Sequence, residues 1–155
     1  MKIEDILSED LVLADLAARA KPDVLVELAD ALTTRHQELN LDKARLVGAL
    51  EDRERLNSTA LGDGVAIPHG KLPGLRRVLA AFGRSRVGVD FQSLDGKPTH
   101  LFFLLVAPED SAGAHLKALA RISRLLKDPG FRARLLEAPD AQTIWTIIRD
   151  EDARY

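Results

Sequence analysis

The sequence contains no cysteine. That one absence excludes internal disulfides, thiolate metal sites and a cysteine nucleophile. Long hydrophobic runs are missing too. The longest strictly apolar stretch, Leu101–Ala107, has 7 residues, against the roughly 20 that a membrane-spanning helix needs. The first residues, MKIEDILSED, are acidic early and carry no apolar core of a secretory signal. There is no excess of one sign of charge. The formal net charge is −2 and the pI about 6.1, which argues against nucleic acid as the main partner, because phosphate-backbone binding needs a basic surface. There is no internal repeat, low-complexity tract or linker. Several catalytic signatures are also lacking. No Gly-x-x-x-x-Gly-Lys-Ser/Thr loop supports a Walker-type nucleotide site, and no His-Glu-x-x-His pair supports a zincin. Gly83-Arg-Ser-Arg-Val87 lacks the second glycine of a nucleophile elbow.

What is present is ordinary globular material. The chain has 155 residues, 46% apolar and 30% charged. That is enough Leu, Ile, Val and Ala for one sizeable core, so one domain over residues 1–155 is expected. With neither a signal nor a membrane span, the chain reads as cytoplasmic, with no direct membrane insertion.

Leu11–Leu13 reads as a short strand. Pro22 then opens a helix at its first turn, where a missing N–H costs nothing, and Val24, Leu25, Leu28, Ala31 and Leu32 form its apolar stripe. Asp42 is placed to cap a second helix with Leu46, Val47 and Leu50 inward. Arg53, seven after Leu46 and three after Leu50, extends that buried stripe. Asn57–Gly64 is turn chemistry and Val65–Ile67 a short strand ended by Pro68 and His69, with Gly70 and Gly74 in a loop beyond. Arg77–Phe82 and Val87–Phe91 are two further strand candidates, and Leu101–Val106, continuously apolar, is a strand buried on both faces. Asp110 or Ser111 caps a third helix with Leu116, Leu119, Ala120, Ile122 and Leu126 inward. Two short helices follow around Phe131–Glu137 and Asp140–Arg149. Strands of this kind alternating with helices predict an α/β three-layer sandwich, with a central sheet flanked by helices on both faces.

Histidine is the natural carrier of chemistry here, as it titrates near neutral pH and serves as nucleophile, acid, base or ligand. His36 lies at a predicted helix end, where a protonated ring simply complements the dipole. His100 precedes the strongest strand and reads as a surface or strand-edge residue. His69 differs. Pro68 fixes the backbone before it, Gly70 after it leaves room for another molecule, and it ends a strand, where open α/β sheets place ligand sites. A plain turn residue is the competing reading. His115 lies early on the third helix, on its apolar face, and reads either as a core residue or as part of an anion site at a helix N-terminus. Arg53 is either a snorkelling cation or the partner of such an anion. Together the three suit a phosphoryl group, if the fold brings them together. A metal site using the two histidines with Asp63 or Asp110 has no supporting ligand spacing.

At this point the sequence resembles a family. Arg53-Glu54, Ser58-Thr59 and Gly62-Asp-Gly-Val-Ala-Ile-Pro-His-Gly70 look like the active-site region of the enzyme IIA proteins of the bacterial phosphoenolpyruvate-dependent phosphotransferase system, in the fructose/mannitol/nitrogen class. Ile3–Leu7, Gly88–Phe91, Asp95–Pro98 and His115-Leu116 continue the likeness over nearly the whole chain. The resemblance implies a mixed sheet between helices and a phosphotransferase component, a phosphohistidine carrier working without metal or other cofactor. It implies His69 as the residue phosphorylated at Nε2, His115 as the second active-site histidine, Arg53 as the arginine assisting the phosphate, and a supporting role for Ser58 and Thr59. The implied donor is the phosphohistidine of HPr or its nitrogen-branch counterpart.

Without a cysteine or a transmembrane run, the chain reads as a stand-alone IIA. Three functions follow as expectations. The first is a nitrogen-type regulator whose phosphorylation state is read by partner proteins, favoured by IIA-like sequence starting at the N-terminus. The second is a sugar-specific IIA passing phosphate to a cysteine on a separate IIB domain. The third is an interaction module that is not phosphorylated. Glu9, Asp10, Arg76, Arg77 and Arg84 are candidates for docking surfaces.

Overall fold

The computed structural model describes residues 1–155. After short 3-10 turns at Ile3–Asp5 and Glu9–Leu11 the chain forms β1 (Val12–Leu13), α1 (Lys21–Arg35) and, past a third turn at Gln37–Leu39, α2 (Lys43–Leu56). Then come β2 (Ala60–Gly62), β3 (Val65–Ala66), β4 (His69–Leu72), β5 (Leu79–Val89) and β6 (Thr99–Pro108). Three helices close the chain: α3 (Ala112–Leu126), α4 (Pro129–Glu137) and α5 (Ala141–Asp152).

The six strands make one mixed sheet in the order β1-β5-β6-β3-β2, with β4 also paired to β6. β6 sets the register. It runs antiparallel to β5 (Leu79↔Val106, Phe82↔Phe103) and parallel to β3 (Val65↔Leu101) and β4 (His69↔Leu105). Its apolar residues are buried on both faces, as the continuous run predicts. Phe102 meets Phe91, under Lys21 of α1, at 5.1 Å. Phe103 meets Phe82 at 5.6 Å on the opposite face, which carries α3, α4 and α5. Burying each of these rings contributes about 1.5–3 kcal/mol. α1 and α2 pack together against β5 and β4, so helices flank the sheet on both faces, as expected.

One expected cap acts, Asp42, and two further aspartates cap α4 and α5. Asp42 accepts from Arg45 N at 3.1 Å, Asp128 from Gly130 N at 2.9 Å and Asp140 from Thr143 N at 2.8 Å. Ser111 precedes α3, but its side chain makes no capping bond.

Five expectations need correction. Within Asn57–Gly64, read as turn chemistry, Ala60–Gly62 is a strand, β2, paired antiparallel with β3. The two strands predicted around Arg77–Phe82 and Val87–Phe91 are one strand, β5, passing through Arg84 and Ser85. Arg84 cannot serve a docking surface, because it is fully buried. Its Nε donates to Ala14 O at 3.0 Å, and its Nη1 to Leu135 O at 2.9 Å and Ala138 O at 2.6 Å, so backbone carbonyls left over at the end of α4 compensate a charge inside the fold. The expected loop after Pro68 is a strand, β4, held by its ladder to β6 rather than by its own side chains. On α3, Leu116 and Ala120 are exposed, and the inward stripe is His115, Ala118, Ile122, Leu125 and, as expected, Leu126.

Candidate functional site

The site is built where the sheet changes strand beside β6. Gly62, Asp63 and Gly64 all take positive φ (128°, 59° and 74°), which folds β2 tightly onto β3. β3 then meets Pro68, which has no N–H to give. Its carbonyl accepts from Leu105 N at 3.0 Å, and pairing to β6 resumes at His69 as β4. Side chains alternate along β4. A Cβ on Gly70 would touch Ala49 of α2 at 3.4 Å, so Gly70 faces α2 and His69 faces the α3 side. The space Gly70 leaves therefore seats α2, and is not open to another molecule.

His69, His115 and Arg53 come together. Nδ1 of His69 lies 2.8 Å from Ile67 O. A carbonyl only accepts, so Nδ1 carries the proton and the neutral ring keeps its lone pair on Nε2. Nε of Arg53, in the last turn of α2, donates to that Nε2 at 3.3 Å. The ring of His115 stands 5.3 Å from that of His69, tilted by 52°. His115 is buried, and its Nδ1 has no hydrogen-bond partner. It occupies the first part of α3, so the positive end of that helix lies beside both rings.

Burial holds both imidazoles below the ordinary histidine value of 6.5. For His69 the Arg53 charge adds to this, while the Ile67 carbonyl and Glu54 oppose it. For His115 the neighbouring His69 and Lys71 add to it. Both rings are therefore neutral at pH 7.

Ser58 and Thr59 do not hydrogen-bond to His69. Ser58 Oγ donates to Phe91 O at 2.6 Å, and Thr59 gives its N–H (3.0 Å) and its hydroxyl (2.5 Å) to the buried carboxylate of Glu54. Glu54 is also paired with Lys21 at 3.0 Å. Sequence reasoning did not single out Glu54 for this function. The signal was available, since Glu54 follows Leu46 and Leu50 at helical spacing and so continues the buried stripe. For Lys21 there was none, because its partners Glu54, Phe91 and Gln92 are distant in sequence. The other two histidines are engaged elsewhere: His36 ends α1 near Glu38, and His100 Nδ1 donates to Ser85 O at 2.8 Å. No group of three or more His, Cys, Asp or Glu side chains is placed to hold a metal ion. No helix is long and apolar enough to cross a membrane.

The family model described as the phosphoenolpyruvate-dependent sugar phosphotransferase system, EIIA 2, matches residues 5–151. A nitrogen regulatory protein of Bradyrhizobium diazoefficiens is 43% identical over 149 residues, covering 96% of this chain and 95% of that protein. The fructose-specific EIIABC component of Bacillus subtilis is 38% identical over 152 residues, 98% of this chain but 24% of that longer protein. The crystal structure of the nitrogen regulatory protein IIA-Ntr of Neisseria meningitidis superposes with a TM-score of 0.86 at 34% identity, covering 94% of this chain and 98% of that one.

Proposed function

The chain belongs to the EIIA type 2 family of the phosphotransferase system, and from there we propose that residues 1–155 act as one IIA domain that accepts a phosphoryl group on Nε2 of His69. The observation that carries this reading is the fixed tautomer of His69. Its Nδ1–H is committed to Ile67 O, and its Nε2 lone pair faces the guanidinium of Arg53.

The donor is the phosphohistidine of HPr or of its nitrogen-branch counterpart. Nε2 attacks phosphorus, an N–P bond forms on His69, and the N–P bond of the donor breaks, returning the electron pair to the donor's ring. No proton need leave His69. The ring acquires positive charge as it attacks, and the Ile67 carbonyl already bonded to Nδ1 stabilises that charge. Phosphoryl transfer is governed by positioning and by stabilisation of charge on the phosphoryl oxygens. Arg53, His115 and the N-terminal end of α3 supply the stabilising field. The lowered basicity of His69 keeps the nucleophile unprotonated at neutral pH.

The role beyond acceptance is regulatory, of the nitrogen type. Support comes from the full-length likeness to nitrogen regulatory proteins. A phosphate adds about −1.5 to −2 of charge at pH 7, enough to change which surfaces the region around His69 binds. The likeness to a fructose-specific component favours a second reading, in which the phosphoryl group passes on to the cysteine of a separate IIB.

The test is reconstituted phosphorylation with phosphoenolpyruvate, enzyme I and HPr or its nitrogen-branch counterpart, followed by intact mass. The expected result is one acid-labile phosphoryl group per chain, abolished in His69→Ala with the thermal melt retained. Acceptance by His69→Ala would move the phosphorylated residue elsewhere. No acceptance from either carrier would leave an interaction module.

A further inference from the structure

A guanidinium grips a phosphoryl group best through two parallel N–H groups on one edge, and that requires the remaining corner to be held elsewhere. In this protein the corner is held. Nη1 of Arg53 donates to Asn57 twice, to the backbone O at 2.9 Å and to Oδ1 at 3.0 Å. Nε and Nη2 form the other edge. Nε points at Nε2 of His69, and Nη2 has no partner within the protein.

Asn57 is itself fixed. It ends α2 in an extended conformation (φ −173°, ψ 159°). The next two residues are pinned by Ser58 to Phe91 O and by Thr59 to Glu54, which Lys21 anchors from α1. Lys21, Glu54 and Thr59 thus hold the backbone two residues beyond Asn57, and Asn57 in turn holds Arg53, which reaches His69.

We propose that Asn57 is a positioning residue: by occupying Nη1 it turns the Nε–Nη2 edge of Arg53 toward Nε2 of His69, where that edge meets two oxygens of the phosphoryl group. The proposal rests on the phosphocarrier reading. Once phosphorus is bonded to Nε2, the lone pair that accepted from Arg53 is used, and the Nε···Nε2 hydrogen bond ends. The edge released by that event already faces the phosphoryl oxygens, because Nη1 stays with Asn57. Without the amide, Arg53 keeps one contact at that corner and regains rotamer freedom, which must be lost again in each transfer.

The experiment uses the full chain with Asn57→Ala, alone and combined with Arg53→Ala. Asn57 is exposed and outside the left-handed region, so the variant folds, and a thermal melt checks it. Three results are expected. Transfer from phospho-HPr slows about fivefold with the donor's KM unchanged. The NMR titration of His69 moves up toward 6.5 as the Arg53 charge leaves Nε2. Neither effect adds to Arg53→Ala. An unchanged rate overturns the proposal, and so does full additivity with Arg53→Ala. A slowed rate with an unmoved titration makes Asn57 a donor contact and overturns it too. If the unsubstituted protein accepts no phosphate, the phosphocarrier reading fails by itself. The titration then still decides whether Asn57 holds Arg53 against His69, a moved curve supporting the holding and an unmoved one overturning it.

Discussion

Two parts of this molecule bury polar groups, and they treat them oppositely. At the C-terminal corner, Glu151 and Asp152 are almost fully buried and their oxygens are well served. Asp152 accepts from Ile3 N at 2.7 Å and from Arg121, and Glu151 takes Arg134 at 3.3 Å and Arg154 at 3.0 Å. That corner ties the first residues to α3, α4 and α5. At the His69 edge, His115 Nδ1 has no partner, Arg53 Nη2 has none, and a lone pair on His69 is met only by a cation at 3.3 Å. A buried polar atom without a partner, as His115 Nδ1 is, costs about 1–3 kcal/mol, whereas the half-buried Arg53 leaves its free N–H groups within reach of solvent. Buried atoms of that kind are absent from the Glu151–Asp152 corner, although Arg84 Nη2 and Thr99 Oγ1 inside the sheet are also buried without a partner.

The contrast breaks most visibly at the corner. Asp152→Ala should lower the unfolding free energy by about 3 kcal/mol, since it strands Arg121 and the amide of Ile3, with transfer per folded molecule unchanged. Urea unfolding beside a transfer assay checks both halves. Next comes Arg53→Lys, which keeps the charge and loses the fork. It should slow phosphoryl acceptance on the order of 10²-fold while urea midpoints stay close to those of the parent. Wild-type rates in that variant would mean that charge alone suffices at this edge.

The smallest effects sharpen the comparison. His115→Leu removes a buried group that nothing satisfies. Its stability should be unchanged or raised by up to about 1 kcal/mol, while transfer slows about tenfold. Both histidines are harder to protonate in the folded protein than in the unfolded chain. Below the ordinary 6.5 the unfolded chain therefore binds more protons, and stability falls as pH falls through that range. Urea midpoints at about pH 7.5 and about pH 5.5 should differ less in His69→Ala/His115→Leu than in the parent protein. An equal drop in both would assign the acid sensitivity to the carboxylates.

Much of the frame was legible. Helical periodicity marked α1, α2 and α3, Asp42 the start of α2, and the apolar run β6, because these signals are local. β4 was hidden since His-Gly-Lys-Leu has little strand propensity, and its partner is supplied by β6 from more than 30 residues away. β5 was split by Arg84 and Ser85; Arg84 is buried because carbonyls at the end of α4 meet it, and Ser85 because its hydroxyl and carbonyl are taken by Gly88 N and His100. At the site, a stiff Pro-His step, a histidine on an apolar helix face and an arginine on a core stripe were visible one by one. Their meeting depends on α2 packing against β4 and on α3 following β6, which periodicity alone does not encode. Asn57 looked like a turn residue, and only the direction of the Arg53 side chain gives it another meaning.

The flanking of Nε2 bears on how the protein handles traffic. The nitrogen is bounded by Arg53 on one side and by His115 on the other, and the ring is anchored from behind at Ile67. Where the phosphoryl group passes on to a separate IIB, as in the second reading, giver and receiver must use the same opening, one after the other. No complex of all three proteins can hold a phosphoryl group in passage, and the carrier must part from its first partner, charged, before meeting the second. Steady-state rates should then follow a ping-pong pattern, in which varying one partner leaves the slope for the other unchanged.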